Sequence, residues 1–253
     1  MRRAVTRGER TADGLLAVET PHLLEEALES RLPVERVLFT ADAEKQVLAL
    51  LRRWGAEPEL FRVSSTVLAA LSSTAAPQGL VALVRPRVWE AGDLFSPDPA
   101  LVVILAGVQD PGNAGAVLRA AEAFGATGAL LLRGTVRPEN PKLLRAAAGS
   151  SFRLPLLAGV QLDQALALCA VHGLTLYALD ARAEQTLEQV DLWRPCALAV
   201  GAEGAGVPPP LLENARRAAI PRARRVESLN AAVAAALALS EAARQRESSH
   251  RPA

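Results

Sequence analysis

An α/β fold in two parts, the second built on a mostly parallel sheet, is predicted by three features of this sequence. Short apolar runs recur along the chain with helix-like segments between them, the pattern of layered α/β structure. The runs of the second half are apolar throughout rather than alternating, as strands covered on both faces are. Between the halves, RPRVWEAGDLFSPDP (85 to 99) carries Pro86, Pro97 and Pro99 and no regular period, the composition of a boundary. The expected organisation is a small domain over 1–85, a linker over 86–99 and a larger domain over 100–253.

In chain order, GLLAVET (14 to 20) reads as a strand, HLLEEALES as a helix, VERVLFT (34 to 40) as a strand, and DAEKQVLALLRRWG as a helix that stops at Gly55. PELFRVS is the next strand, SSTVLAALSS a short helix opened by a serine cap, and LVALVRP a closing strand after the turn-forming TAAPQG. Beyond the boundary, LVVILAG (101 to 107), ATGALLL (126 to 132), GLTLYALD (173 to 180) and CALAVG (196 to 201) are the expected buried strands, with helical segments between them.

Composition narrows the function classes. The 253 residues, half of them apolar, can bury a sizeable core, so disorder is excluded as the main state. Lys and Arg number 28 against 27 acidic residues, so the overall balance names no polyanionic partner and any basic surface is a local patch. Such patches exist: Arg216, Arg217, Arg222, Arg224 and Arg225 fall close together, and Arg2, Arg3, Arg7 and Arg10 crowd the N-terminus, a distribution that suits RNA phosphates. Cys169 and Cys196 lie inside apolar runs without metal-ligand spacing and read as buried free thiols. His22, His172 and His250 form no cluster, so no metal is expected. The charged N-terminus lacks the apolar stretch of a signal peptide and no run approaches membrane-spanning length; the expectation is a cytoplasmic protein with no membrane partner.

Three stretches carry polar residues in suggestive places. The first is VQDPGNAGAVLRAAEAFG (108 to 125). With Asn113 as N-cap and Gly125 closing the helix, helical periodicity puts Val117, Ala120, Ala121 and Phe124 on the buried face, and Arg119 on the other beside Gly115 and Glu122. Arg119 is then either half of an exposed Arg119–Glu122 pair or a group free to meet a ligand. The second, VGAEGAGVP, is neither a phosphate loop nor a dinucleotide fingerprint, but Gly201, Gly204 and Gly206 follow a buried strand, where backbone can approach a ligand closely. The third is IPRARRVESLNAAVAAALALSEAARQR (220 to 245), where Ser228 or Asn230 can cap a helix with Leu229, Val233, Leu237 and Ser240 on one stripe and alanine almost everywhere else.

Taken in order, Asn-x-Gly-x-x-x-Arg in a loop-helix, GxEGxG after a late strand and IP…SLN before the last helix resemble the SpoU/TrmH family of RNA ribose 2′-O-methyltransferases, of the SPOUT superfamily. AVETPHLLEEAL and TAAPQGLVALV look like the two ends of that family's N-terminal substrate-binding domain, so the resemblance covers nearly the whole chain. It implies S-adenosyl-L-methionine as cofactor, a deep trefoil knot in the catalytic domain, an L30e-like N-terminal domain and a homodimer, whose interface is expected to use the alanines from Ala231 to Ala243. Carried over residue by residue, it implies catalytic roles for Asn113, Arg119, Glu203, Ser228 and Asn230. It implies cofactor contacts from Val200, Gly201, Glu203, Gly204, Gly206, Ile220, Pro221, Ser228 and Leu229. RNA contacts are expected from Arg119, Arg216, Arg217, Arg222, Arg224 and Arg225. Ala202 stands where the family often has Ser or Asn, and ARR at 223 to 225 makes the approach to SLN unusually basic. The implied reaction is methylation of a ribose 2′-hydroxyl in structured RNA, ribosomal RNA ahead of transfer RNA. The rival readings are a non-catalytic RNA-binding or ribosome-assembly protein of the same fold and a methyltransferase acting on a base nitrogen.

Overall fold

The computed structural model describes residues 1–74, 76–221, 223 and 228–249. They fall into two compact units, one made of Met1–Val88 with Pro138–Arg153 and the other of Trp89–Arg137 with Leu154–Ala253.

The first unit holds a four-stranded sheet in the order β1-β4-β2-β3, with β1 Leu16–Val18, β2 Val34–Phe39, β3 Glu59–Arg62 and β4 Leu80–Val84. Strand β4 runs antiparallel to both β1 and β2, and β3 runs parallel to β2. One face of this sheet packs on Leu23, Leu24, Val47 and Leu51 of the helices Pro21–Glu29 and Glu44–Trp54, joined by Leu144 and Phe152 from later in the chain. The other face packs on Ala4 and Val5 of the helix Arg2–Arg7 and on Leu68 of the helix Ser65–Leu71. The helices start where polar caps stand. The Thr20 hydroxyl accepts from the Leu23 N–H at 3.0 Å with Pro21 in the first turn, and the Ser64 hydroxyl accepts from Val67 at 3.3 Å. The helix ending at Trp54 closes on Gly55 in the left-handed region (φ 63°), a conformation that costs glycine nothing.

The second unit is built on six parallel strands in the order β10-β8-β9-β5-β6-β7: β5 Leu101–Ala106, β6 Gly128–Leu132, β7 Leu156–Val160, β8 Thr175–Leu179, β9 Cys196–Gly201 and β10 Arg216–Ala218. On one face, Val102, Ile104, Ala197 and Ala199 meet Leu94, Ala165 and Leu211 of the helices Ala91–Phe95, Leu162–Val171 and Pro209–Glu213. The helices Pro111–Ala123 and Ala231–Ser249 pack on each other, and the latter also packs on β9. Both faces are covered, which is why the four anticipated strands read as unbroken apolar runs.

Several details differ from the sequence-based expectation. Strands β7 and β10 are additional. The stretch read as irregular between the halves contains the helix Ala91–Phe95, whose Leu94 and Phe95 are core residues. Leu94 seats directly on Gly128, where an added Cβ would lie 2.4 Å from the leucine Cγ. The face of the last helix that buries Ala231, Ala235, Ala238, Leu239 and Ala242 is used inside its own unit, so these alanines are not held open for a second copy. The large apolar side chains that this helix leaves exposed are Val233 and Leu237, on the stripe marked out by periodicity.

Candidate active site

Three chain segments meet at the carboxyl ends of the central strands, where open parallel sheets bind ligands. The first follows β5. Asp110, not Asn113, caps the helix Pro111–Ala123: its carboxylate accepts the Asn113 N–H at 2.7 Å and Pro111 occupies the first helical position. Asn113 therefore sits in the first turn with its side chain free for other work. The second segment follows β9, where the loop Ala202–Gly206 closes on itself through Ala202 N–H to Gly206 O at 3.1 Å and Gly206 N–H to Ala202 O at 2.8 Å. Gly201 is required by that closure, because a Cβ there would lie 1.9 Å from the Gly206 carbonyl carbon. The third segment is the start of the last helix, capped by Asn230, whose Oδ1 accepts from Ala232 N–H at 2.9 Å and Val233 N–H at 3.2 Å.

The three segments are tied together by a directed hydrogen-bond chain. Two backbone donors fix the Asn230 oxygen, so its amide nitrogen must face the other way. It donates to Asn113 Oδ1 at 3.0 Å and reaches Glu203 Oε1 at 3.4 Å. Asn113, its oxygen thus occupied, donates through Nδ2 to the same Glu203 oxygen. One capped helix end therefore sets the polarity of both amides, and the chain terminates on a carboxylate able to take both donors.

Beside this network lies a cavity of about 740 Å³ lined by Val200, Gly201, Glu203, Gly204, Gly206, Ile220, Ser228, Leu229 and Asn230 from the expected set. Pro221 is not among its lining residues. The structure adds lining residues that sequence reasoning missed: Leu179 at the end of β8, Asp180 and Arg182 after it, Val207 and Leu212 beyond the glycine loop, and Ala218 from β10. The position of Asp180 at the end of the run GLTLYALD was the available signal, since carboxyl ends of parallel strands face the ligand. Arg217, anticipated as an RNA contact, also lines the cavity and lies 3.6 Å from the Asp180 carboxylate. Arg216 is exposed on β10, and Arg222, Arg224 and Arg225 lie outside the described residues.

Arg119 stands apart. It is exposed on the helix Pro111–Ala123, does not line the cavity, and among the described residues makes no hydrogen bond or ion pair, including none with Glu122. Gly115, expected on its face, is buried; Ala114, Val117, Leu118 and Ala121 make up the rest of the packed surface. Ser228 lines the cavity but does not cap the helix.

Burial pushes the thiols of Cys169 and Cys196 up to about 11, so both stay protonated at neutral pH, and both are free. Among the described residues no group of His, Cys, Asp and Glu could hold a metal ion, and no helix is long and apolar enough to cross a membrane.

A sheet covered on both faces, with a glycine-closed loop and an amide-carboxylate cluster at its strand ends, defines a ligand-binding α/β class; comparison with known proteins makes it specific. The SpoU rRNA Methylase family matches residues 100–240, and the MRM3-like substrate binding domain matches residues 1–82. An uncharacterized tRNA/rRNA methyltransferase of Synechocystis is 39% identical over 244 residues, 95% of this chain and 88% of the relative. The 23S rRNA (guanosine-2′-O-)-methyltransferase RlmB of Xylella fastidiosa is 35% identical over 195 residues, 74% of this chain and 78% of the relative. The crystal structure of the SpoU methyltransferase AviRb from Streptomyces viridochromogenes in complex with AdoMet matches with a TM-score of 0.86 at 28% identity, over 98% of this chain and 96% of that one. The chain belongs to the SpoU rRNA methylase family of RNA methyltransferases.

Proposed function

We propose that the protein transfers the methyl group of S-adenosyl-L-methionine to a ribose 2′-hydroxyl of structured RNA, ribosomal RNA ahead of transfer RNA, as a cytoplasmic homodimer. The observation that carries this reading is the junction of the three motifs: Asn113, Glu203 and Asn230, distant in sequence, form one hydrogen-bonded cluster at the rim of a cavity. The cavity fits such a cofactor in kind as well as size. Backbone at Gly204 and Gly206, where an added Cβ would meet nothing within 4 Å, leaves room for close approach, while Ile220, Leu229 and Val207 supply apolar surface. When bound, the cofactor supplies an already activated sulfonium methyl group, so the protein's task is alignment and charge stabilisation.

Each residue then has a role set by its chemistry. Asn113 and Asn230, held in one amide orientation, position the ribose; Glu203 fixes that orientation; Ser228 offers a hydroxyl to the substrate. Arg119, exposed and unpaired among the described residues, binds the adjoining phosphate bidentately and stabilises the alkoxide as it forms. In this reading the unit of Met1–Val88 with Pro138–Arg153 is the RNA substrate-binding part and the unit of Trp89–Arg137 with Leu154–Ala253 the catalytic part, the stretch expected as a linker over 86–99 giving the second unit its core helix Ala91–Phe95. Exposed Val233 and Leu237 give the last helix an apolar stripe for a second copy. The name borne by the Xylella relative supports the 2′-oxygen over a base nitrogen.

The test is methylation of ribosomal and transfer RNA with labelled S-adenosylmethionine, followed by digestion to nucleosides. A 2′-O-methylnucleoside is expected. A base-methylated nucleoside would overturn the ribose assignment, and no cofactor binding would favour a non-catalytic RNA-binding protein. In the same assay Arg119→Ala should lose roughly a hundred- to thousandfold in single-turnover rate, by analogy with removal of one oxyanion donor. Arg119→Lys, which keeps the charge and loses the planar fork, should retain part of the activity, and both should melt like the parent protein.

A further inference from the structure

Of the charged residues lining the cavity, Glu203 is committed to the two asparagines, whereas Asp180 takes no part in that network. Asp180 follows β8 immediately and is rigidly placed. Its N–H donates to Ala218 O of the neighbouring strand at 3.1 Å, and its carbonyl accepts from Ala183 N–H at 3.1 Å. Its carboxylate Oδ1 accepts the Arg182 N–H at 2.9 Å, and Arg217 Nη1 lies 3.6 Å from Oδ2, close enough to balance charge but beyond a hydrogen bond. The side chain is only 17% exposed. A carboxylate has about four lone-pair sites, so both oxygens keep acceptor capacity on a residue that lines the cavity.

The charges around Asp180 select what it accepts. The Arg217 guanidinium beside it already balances the Asp180 charge, so a cationic group brought to Asp180 would meet that guanidinium as well as the carboxylate. Neutral donors meet no such repulsion. A pair of adjacent hydroxyls matches the two carboxylate oxygens in number and spacing, and an acidic residue beyond a neighbouring strand of a parallel sheet plays this part for the ribose of dinucleotides. Resting on the reading of the cavity as the S-adenosylmethionine site, we infer that Asp180 is a specificity residue that binds the ribose hydroxyls of the cofactor's adenosine, with Arg217 and the Arg182 N–H holding its carboxylate in place.

The experiment pairs changes in the protein with changes in the ligand. Binding of S-adenosylhomocysteine, its 2′-deoxy and 3′-deoxy analogues and methylthioadenosine is measured by calorimetry on the full-length protein, Asp180→Ala and Asp180→Asn, with a thermal melt of each. Hydrogen bonds to a charged acceptor predict that Asp180→Ala binds S-adenosylhomocysteine roughly ten- to hundredfold more weakly, and methylthioadenosine by the same factor. Deleting a hydroxyl that bonds to Asp180 should cost the parent protein about as much and the variant almost nothing, since the partner is already gone. Deoxy analogues that bind the parent protein as well as S-adenosylhomocysteine does would overturn the inference, whatever the variants do. So would a loss confined to ligands carrying the amino-acid moiety, which would move Asp180 to the ammonium. A parent protein that binds none of these adenosine ligands overturns the proposed function and this inference with it. One that binds them all while both variants bind equally well overturns the inference alone.

Discussion

The two ends of the helix Ala231–Ser249 use polar side chains in opposite ways. At the first end Asn230 holds the first turn with its oxygen and offers its nitrogen to Asn113 and Glu203, side chains that face solvent at the cavity rim. Toward the other end, Gln245 and Arg246 turn inward to the backbone. Gln245 accepts from Leu192 N–H at 2.8 Å and donates to Val190 O at 3.1 Å. Arg246 donates to Pro99 O at 2.5 Å, Ala100 O at 2.9 Å, Leu192 O at 3.1 Å and Arg194 O at 3.1 Å, carbonyls just before β5 and β9. A guanidinium carries five donors in a fixed fork, which is why one arginine can satisfy so many carbonyls at once. The lesson is a division of labour along one element: the first end arranges a site that water can reach, and the other anchors the helix to the sheet. Substitutions at the two ends should therefore separate activity from stability.

The site side breaks most severely at Gly201. A methyl group there would overlap the Gly206 carbonyl carbon at 1.9 Å and Val207 N at 2.1 Å, and neither is a flexible side-chain end, so the loop must open. Gly201→Ala should cost about 1–3 kcal/mol or more in stability by overpacking. It should also abolish measurable cofactor binding; near-normal affinity in calorimetry would show that the loop closure is irrelevant to the site. Arg246→Ala is the matching change on the anchoring side. It removes four charge-assisted hydrogen bonds to carbonyls, three of them part-buried, at an expected cost of roughly 2–4 kcal/mol, while the remaining folded protein binds cofactor normally. A denaturant melt with unchanged midpoint would remove the distinction between the ends.

A finer cut comes at Asn230. Asn230→Ala loses the cap, about 1 kcal/mol, together with both donated bonds. Asn230→Asp keeps an N-cap acceptor but has no donor for Asn113 and sets a second carboxylate near Glu203. The aspartate variant should therefore melt above the alanine variant and yet be no more active. Restored methyl transfer in Asn230→Asp would show that only capping matters.

What the sequence disclosed followed from how local each signal is. LVVILAG, ATGALLL, GLTLYALD and CALAVG announce strands because both faces of β5, β6, β8 and β9 are covered. Strand β7 escapes notice because it is an edge strand with Ala158 and Gly159 exposed, and β10 because its arginines read as a charged patch rather than as an edge. The placement of β9 between β8 and β5, and the membership of Pro138–Arg153 in the first unit, depend on long-range pairing that no local pattern encodes. At the site, Asn113, Glu203 and Asn230 were singled out by motif, but their mutual bonds were not readable. Read from sequence, Asn113 is the expected cap, whereas Pro111, a residue that favours the first helical position, marks Asp110 in its place. Asp180 belongs to none of the three motifs and came to light only as a lining residue.

The smallest expected effect lies at the anchoring end and depends on pH. Cys196 begins β9 beneath Arg246; its thiol donates to Leu192 O at 3.6 Å, and burial pushes it from the ordinary 9.0 to about 11, against the opposing pull of Arg246. Cys169, on the helix Leu162–Val171, is raised to about 11 by burial as well. The unfolded chain releases these protons first as pH rises, so it binds fewer protons than the folded chain between the two values. The thiols' contribution is thus whole below pH 9.0 and is lost on the way to about 11. At a pH half a unit above the unfolded value, each thiol should cost just under ~1 kcal/mol. Cys196→Ala should reduce this alkaline loss by one thiol's share, whatever its cost at neutral pH. Arg246→Ala, by removing the cation that lowers the thiol, should leave the loss at least as large, and Asn230→Ala should leave it unaltered. The measurement is a set of urea melts at neutral pH and half a unit above 9.0 for the four proteins. An alkaline loss that Asn230→Ala shifts as much as Cys196→Ala does would mean that the two ends of the helix are electrostatically one region after all.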